Sequence, residues 1–195
     1  MHIIKIFLLA GFILFSSCLF KGSQKYPYGQ VIRVTAKDSL VYLTSSLKNH
    51  LSQFLKQSNA GINSHLLLTK ANIESAKNVS RWLGAQTQKN IYQINLTGLV
   101  SNNIAETEKN IDRVFSKAEN NNWILFFDEA DALFGKRTDI KNSHDKYANV
   151  EIAYLLQKIE NYKGLVLLPC ISDNCLPKAG QQKFIQISGV QNAAN

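Results

Sequence analysis

From about residue 38 onward, apolar positions recur in two alternating rhythms. Across 39–57, Leu40, Leu43, Leu47, Leu51, Phe54 and Leu55 return every three or four residues, the spacing of one helix face, and Asp38 is placed to cap the start. The stretch 59–64, with Gly61, breaks that helix. His65-Leu66-Leu67-Leu68 then reads as a short buried strand, 73–83 as a helix ended by Gly84, and 91–95 as a second strand. A helix over 105–119 carries Ile111, Val114, Phe115 and Ala118 on one face, and Asn103 with Glu106 has the spacing of a capping box. Trp123-Ile124-Leu125-Phe126-Phe127 is a continuous apolar run, as in a strand covered on both faces. A helix over 148–160 follows, with Ile152, Leu155, Leu156 and Ile159 on one side and Gly164 beyond its end; strands at 165–168 and 184–187 complete the pattern.

Strands alternating with helices imply an α/β fold, a three-layer αβα sandwich around a parallel sheet of about five strands. Ligands in such folds bind beyond the carboxyl ends of the strands, so the positions of interest are 69–72, 96–104, 128–137 and 169–175.

The N-terminus follows neither rhythm. Met1-His2-Ile3-Ile4-Lys5 is a short basic start, and 6–20 is apolar apart from Gly11, Ser16 and Ser17. That is the pattern of a secretory signal peptide over 1–20, too short for a membrane span, which needs about 20 apolar residues. Leu14-Phe15-Ser16-Ser17-Cys18 resembles a bacterial lipobox, with Phe15 where Leu or Val is usual, and makes Cys18 the candidate lipidation site. The alternatives are an uncleaved N-terminal anchor or a misplaced start. Residues 21–37, with Gly22, Pro27 and Gly29, read as a linker, and 38–190 as the folded domain. The expectation is an exported protein of the cell envelope or periplasm, held to a membrane through its N-terminus.

Composition adds little. The net charge of +8 comes from lysines and arginines spread along the chain, which argues against a nucleic-acid groove. Besides Cys18 there are only Cys170 and Cys175, which form either a disulfide or two free thiols; no second Cys or His pair near them suggests zinc.

The chemistry sits in WILFFDEADALFGKR, residues 123–137. An apolar strand followed by Asp-Glu is the Walker B pattern: Asp128 would hold the hydration shell of a Mg²⁺ and Glu129 would polarise the water attacking a γ-phosphate. The continuation through residue 168, with IYQINLTGLVSNNIAETEKNIDRVFSKAENN upstream, resembles the AAA+ ATPases, in the bacterial branch that carries DEADALFGKR; the likeness spans about residues 62–188. The resemblance implies a P-loop NTPase-type fold that binds Mg-ATP.

Several of the parts it implies are altered. The Walker A loop, G-x-x-x-x-G-K-[ST], belongs after the strand at 66–68, where the chain reads Thr69-Lys70-Ala71-Asn72-Ile73-Glu74-Ser75-Ala76-Lys77, with no glycine between Gly61 and Gly84. Lys70 and Lys77 are the candidate substitutes for the missing lysine. The polar sensor that should follow the strand at 165–168 is reduced to Ser172, the arginine-finger pair to Gln181-Gln182-Lys183, and the pore loop to Asn102-Asn103. The chain reaches Asn195 before the helical lid, which is expected to be absent. Three readings follow: a non-hydrolysing binding or scaffold module with an unidentified protein partner and no cofactor; a weak Mg-ATP-dependent ATPase completed by a partner; and a decaying gene product. Asp128 and Glu129 are then vestigial, held by strand-end backbone or by Lys136.

Overall fold

The computed structural model describes residues 26, 28–59, 64–131, 143–173 and 175–189. The expected export signal with Cys18, and the Gly135-Lys136-Arg137 segment, lie outside the described residues.

The described chain runs β1 (Gly29–Ile32), a 3-10 turn (Ala36–Leu40), α1 (Ser45–Asn59), β2 (His65–Thr69), α2 (Ile73–Thr87), β3 (Ile91–Asn95), α3 (Ile104–Asn121), β4 (Ile124–Asp128), α4 (Ser143–Asn161), β5 (Val166–Pro169), α5 (Lys178–Gln181) and β6 (Ile185–Ser188). Six strands form one sheet in the order β1-β3-β4-β5-β2-β6. Five are parallel, and β1 alone is antiparallel, Gly29 facing Ile94 and Ile32 facing Ile91.

The strands are apolar on both faces because both are covered. Leu67, Leu125, Phe127, Val166 and Leu168 pack under Ile111, Val114 and Phe115 of α3 and Ile152, Leu155 and Ile159 of α4. The alternate set, Leu66, Leu68, Ile124, Phe126 and Leu167, packs under Leu51 and Phe54 of α1 and Ala76, Val79 and Leu83 of α2. Each such side chain contributes about 1.5–3 kcal/mol on full burial, and these two cores make the three layers. No described helix is long and apolar enough to cross a membrane.

Four local expectations are corrected. The stretch 21–37 is not all linker: it contains β1, and Tyr26 and Tyr28 beside that strand pack against the α3 side of the core. The first helix begins at Ser45 rather than at 39, where Thr44 Oγ1 accepts from the Leu47 amide; Asp38 instead accepts from the Thr35 amide at 2.7 Å and closes the separate 3-10 turn. Gly84 lies inside α2, which runs on to a left-handed cap at Gln88. A β-carbon on Gly84 would stand 2.7 Å from Val34 Cγ2 and 2.9 Å from the Lys89 carbonyl oxygen, so this glycine serves close packing. Finally, Asn103 caps α3 through the Ala105 amide, but Glu106 accepts from the Ser101 hydroxyl and does not complete a capping box with Asn103.

Candidate functional site

The carboxyl ends of β2, β4 and β5 open on one cleft of about 1180 Å³, walled by Lys70, Asn72, Lys77, Asp128, Glu129 and Cys170 among others. Of the residues singled out in the sequence, the structure brings Asp128, Glu129, Lys70, Lys77 and Cys170 together here. Ser172 is exposed and does not line the cleft.

Asp128 is the last residue of β4. Its Oδ2 accepts from Gln93 Nε2 on β3 at 2.7 Å, and its Oδ1 accepts from the Glu129 amide at 2.9 Å. Glu129 has φ +60°, a left-handed conformation that a residue with a β-carbon adopts at a cost and that gathers at functional sites. Its carboxylate lies 2.8 Å from the Thr97 hydroxyl, which is also 2.6 Å from Asn95 Oδ1 at the end of β3. The two acidic residues are therefore held by Gln93, Thr97 and the local backbone; Lys136, the other expected partner, is outside the described residues.

The connection from β2 to α2 is Lys70-Ala71-Asn72, three residues without glycine. Lys70 is left-handed at φ +50°, and its Nζ lies 2.6 Å from Asp173 Oδ2. That lysine holds the Asp173 carboxyl below the usual carboxylate range. The Ala71 amide donates to the Cys170 carbonyl, and the Cys170 amide to the Leu68 carbonyl, so the connection is laced to the end of β5. Asn72 caps α2, its Oδ1 accepting from the Ser75 amide at 2.8 Å, and Glu74 stands in the first turn.

These residues do not fit a Mg-ATP phosphate group. A phosphate cradle uses free N–H groups at a helix start, glycines that let the backbone turn them inward, and a lysine. Here one of the first amides is taken by Asn72, a carboxylate stands in the first turn, and Lys70 faces Asp173. Lys77 lines the cleft one turn further along α2.

Beyond β5, Cys170 and Cys175 form a disulfide with Cα atoms 6.1 Å apart. Sequence reasoning missed Asp131, whose Oδ2 accepts from the Ile171 amide at 2.9 Å and ties the end of β4 to the loop after β5. Its only sequence signal is its place three residues after Asp128. At the arginine-finger position, Gln181 Nε2 donates to the Leu176 carbonyl at 2.9 Å, and Lys183 pairs with Glu160.

The model of a family described as "ATPase family associated with various cellular activities (AAA)" matches residues 76–187, more than half of the 195 residues. Among solved structures, the chain is similar to the AAA domain of FIGL-1, with 20% identity and a TM-score of 0.54, the alignment covering 74% of this chain and 52% of that one. At that identity the likeness shows the fold alone, and this chain spans about half the length of that structure. No curated protein matches the chain.

Proposed function

The chain belongs to the AAA family of ATPases, and we propose that it is a non-hydrolysing binding or scaffold module built on that family's core. The observation that carries this reading is the glycine-free connection Lys70-Ala71-Asn72, capped by Asn72 where a phosphate cradle would need free amides. ATP affinity in such folds rests largely on those amides and a lysine around the phosphates. The family match begins at Ala76, inside α2 and past this connection, which supports a departure from the family at the phosphate loop. Without that loop Asp128 has little to offer, because Mg²⁺ keeps its waters unless carboxylates and phosphates hold it together. The replacement of the finger pair by Gln181-Gln182-Lys183 points the same way, since an arginine finger alone is worth about 10³–10⁵ in rate.

The basic start, the apolar run and Cys18 support export and tethering to a membrane, a compartment where ATP is scarce. Mass spectrometry of membrane-fraction protein tests this part: a lipid on an N-terminal Cys18 is expected, and an intact Met1 in a soluble pool overturns it.

A second reading, an ATPase completed by a partner, draws on the retained Asp128-Glu129 pair and on Lys77 at the cleft wall. A steady-state ATPase assay with Glu129→Gln as control separates the two. No turnover is expected. Turnover by the wild type that the Glu129→Gln variant loses overturns the scaffold reading and establishes the enzyme.

A further inference from the structure

Among the described residues, one group of three metal-ligating side chains comes together, and it lies at the rim of the cleft. Asp131, Cys170 and Cys175 place their ligand atoms within 4.8 Å of one another. Both cysteines are buried and Asp131 is half-buried. The cysteines come from the loop after β5, and Asp131 arrives from beyond β4, some 40 residues earlier in the chain. The sequence held no sign of this group, because its carboxylate is distant from the Cys-x-x-x-x-Cys pair.

We propose that the reduced form of this protein binds one zinc ion through Cys170 Sγ, Cys175 Sγ and Asp131, and that the disulfide is the oxidised, metal-free state of the same site. The reaction balances with a phosphine as reductant: the S–S bond accepts two electrons, water supplies two protons for the two thiols, and the phosphine leaves as its oxide. Binding of Zn²⁺ then displaces both thiol protons, leaving two thiolates and a carboxylate around the cation.

The geometry suits zinc. Zn–S bonds of about 2.3 Å and Zn–O bonds of about 2.0–2.2 Å in a tetrahedron put ligand atoms roughly 3.5–4 Å apart. With the S–S bond closed the three ligand atoms already lie within 4.8 Å of one another, so opening it has to part the two sulfurs while the carboxylate stays in reach. Rotation about the two Cα–Cβ bonds can supply the change without a large shift of backbones whose Cα atoms stand 6.1 Å apart. Two sulfur ligands and one oxygen select a borderline-soft cation over Mg²⁺ or Ca²⁺. Asp131 is already oriented, since one carboxylate oxygen is fixed by the Ile171 amide, the outer-shell hydrogen bond that metal-bound carboxylates commonly have. Three protein ligands leave the fourth position to water, and Asp131 and Cys170 both line the cleft from which water would enter.

The test uses the full chain, stripped of metal and held in a phosphine, with Co²⁺ as the optical probe and Zn²⁺ as the competitor. Reduced wild type is expected to take up one Co²⁺ with thiolate-to-cobalt charge-transfer absorption, and to lose that absorption when Zn²⁺ is added. The oxidised protein is expected to take up neither. Asp131→Asn, whose amide oxygen can still accept from the Ile171 amide, should weaken binding by at least about tenfold, the low end of what losing even an outer-shell partner costs. The Cys170→Ser/Cys175→Ser double variant should bind nothing. No uptake by reduced wild type, equal uptake by Asp131→Asn, uptake that survives in the double variant, or unfolding on reduction before metal is added would each overturn the proposal. The result of the ATPase assay leaves it untouched, because metal uptake is read without nucleotide and the variants used leave Lys70, Asn72, Asp128 and Glu129 in place.

Discussion

Replacing Gly29 by alanine should detach β1, and the structure gives the size of the conflict. A β-carbon at this position would stand 2.1 Å from the Gln93 carbonyl oxygen, 3.0 Å from its carbon and 3.1 Å from Ile94 Cα. All three are backbone atoms of β3, a strand paired on its other side with β4, so they cannot turn away as a side chain could. Ordinary contact begins near 3.4 Å, which requires β1 to retreat by about 1.3 Å. The neighbouring bond from the Asn95 amide to the Tyr28 carbonyl, 2.9 Å in the native chain, would then be lost. With it would weaken the bond from the Tyr28 hydroxyl to Asn110, at 2.7 Å, and the edge-on packing of Tyr26 against Tyr92 and Trp123 at 5.6 and 5.5 Å. Overpacking of this kind costs about 1–3 kcal/mol. An edge strand can relieve part of it by peeling away, so about 2 kcal/mol is expected, a fall in Tm of about 4–8 °C for a chain of this length. Gly98→Ala is the control, because its nearest neighbour lies at an ordinary 3.5 Å. Urea denaturation gives the stability, and amide exchange at Asn95 shows whether the loss is local to β1. An unchanged midpoint with a protected Asn95 amide in Gly29→Ala would refute the reasoning.

Acid should destabilise the fold in part through His65. Burial pushes its pKa below the ordinary 6.5, against the opposing pull of the Tyr162 and Lys183 backbone, so the unfolded chain takes up a proton before the folded one does. Stability is then lost as pH falls below about 6.5 toward the lower folded value. A His65→Gln variant should show a flatter pH–stability curve over that range, and an identical slope would exclude His65 as a cause. Reduction of Cys170–Cys175 should lower stability by about 2 kcal/mol on chain-entropy grounds, since the closed loop is short. Denaturation of the oxidised and the reduced wild type measures this, with the Cys170→Ser/Cys175→Ser variant expected to be indifferent to reductant.

The central fold was legible because its strands are buried on both faces. Leu66, Leu67 and Leu68, or Ile124 through Phe127, have no polar side, and between them lie helices with single apolar faces. β1 was not legible. Its four residues include one glycine and one exposed glutamine, it follows Pro27, and its pairing depends on a strand some 60 residues away. The helix expected over 39–57 failed at its start because Leu40 and Leu43 fit the helical rhythm, yet Leu40 is 81% exposed, and the chain turns at 41–44 before α1 begins. At the site, Asp128 and Glu129 could be read from the apolar run before them. Asp131 could not, because its role comes from the Ile171 amide across the sheet end rather than from spacing.

The sheet end where this family's fold presents its ligands is knitted from inside. Asp128 is held by Gln93 and the Glu129 amide, Asp131 by the Ile171 amide, and the first turn of α2 by Asn72. Lys70 reaches Asp173, although that pair is too exposed for its charge to weigh much in stability. A nucleotide phosphate entering here would have to displace several of these bonds, and hydrogen bonds to a charged group are worth about 1.5–3 kcal/mol each. In an open P-loop the phosphate meets amides that otherwise face water. Here it would compete with partners already in place, at a helix whose first turn carries the Glu74 carboxylate. On the scaffold reading the two features reinforce each other: the three-residue connection Lys70-Ala71-Asn72 offers few free donors, and the polar groups around it bond one another. That coupling supports a scaffold in which Asp128 and Glu129 persist because they brace the ends of β3 and β4. It follows that Asp128→Asn, whose Oδ1 can still accept from the Glu129 amide and whose Nδ2 can donate to Gln93 Oε1 once the Gln93 amide flips, should leave the fold largely intact, whereas Asp128→Leu should not. If both variants unfold at the wild-type midpoint, these residues brace nothing and the case for their structural retention fails.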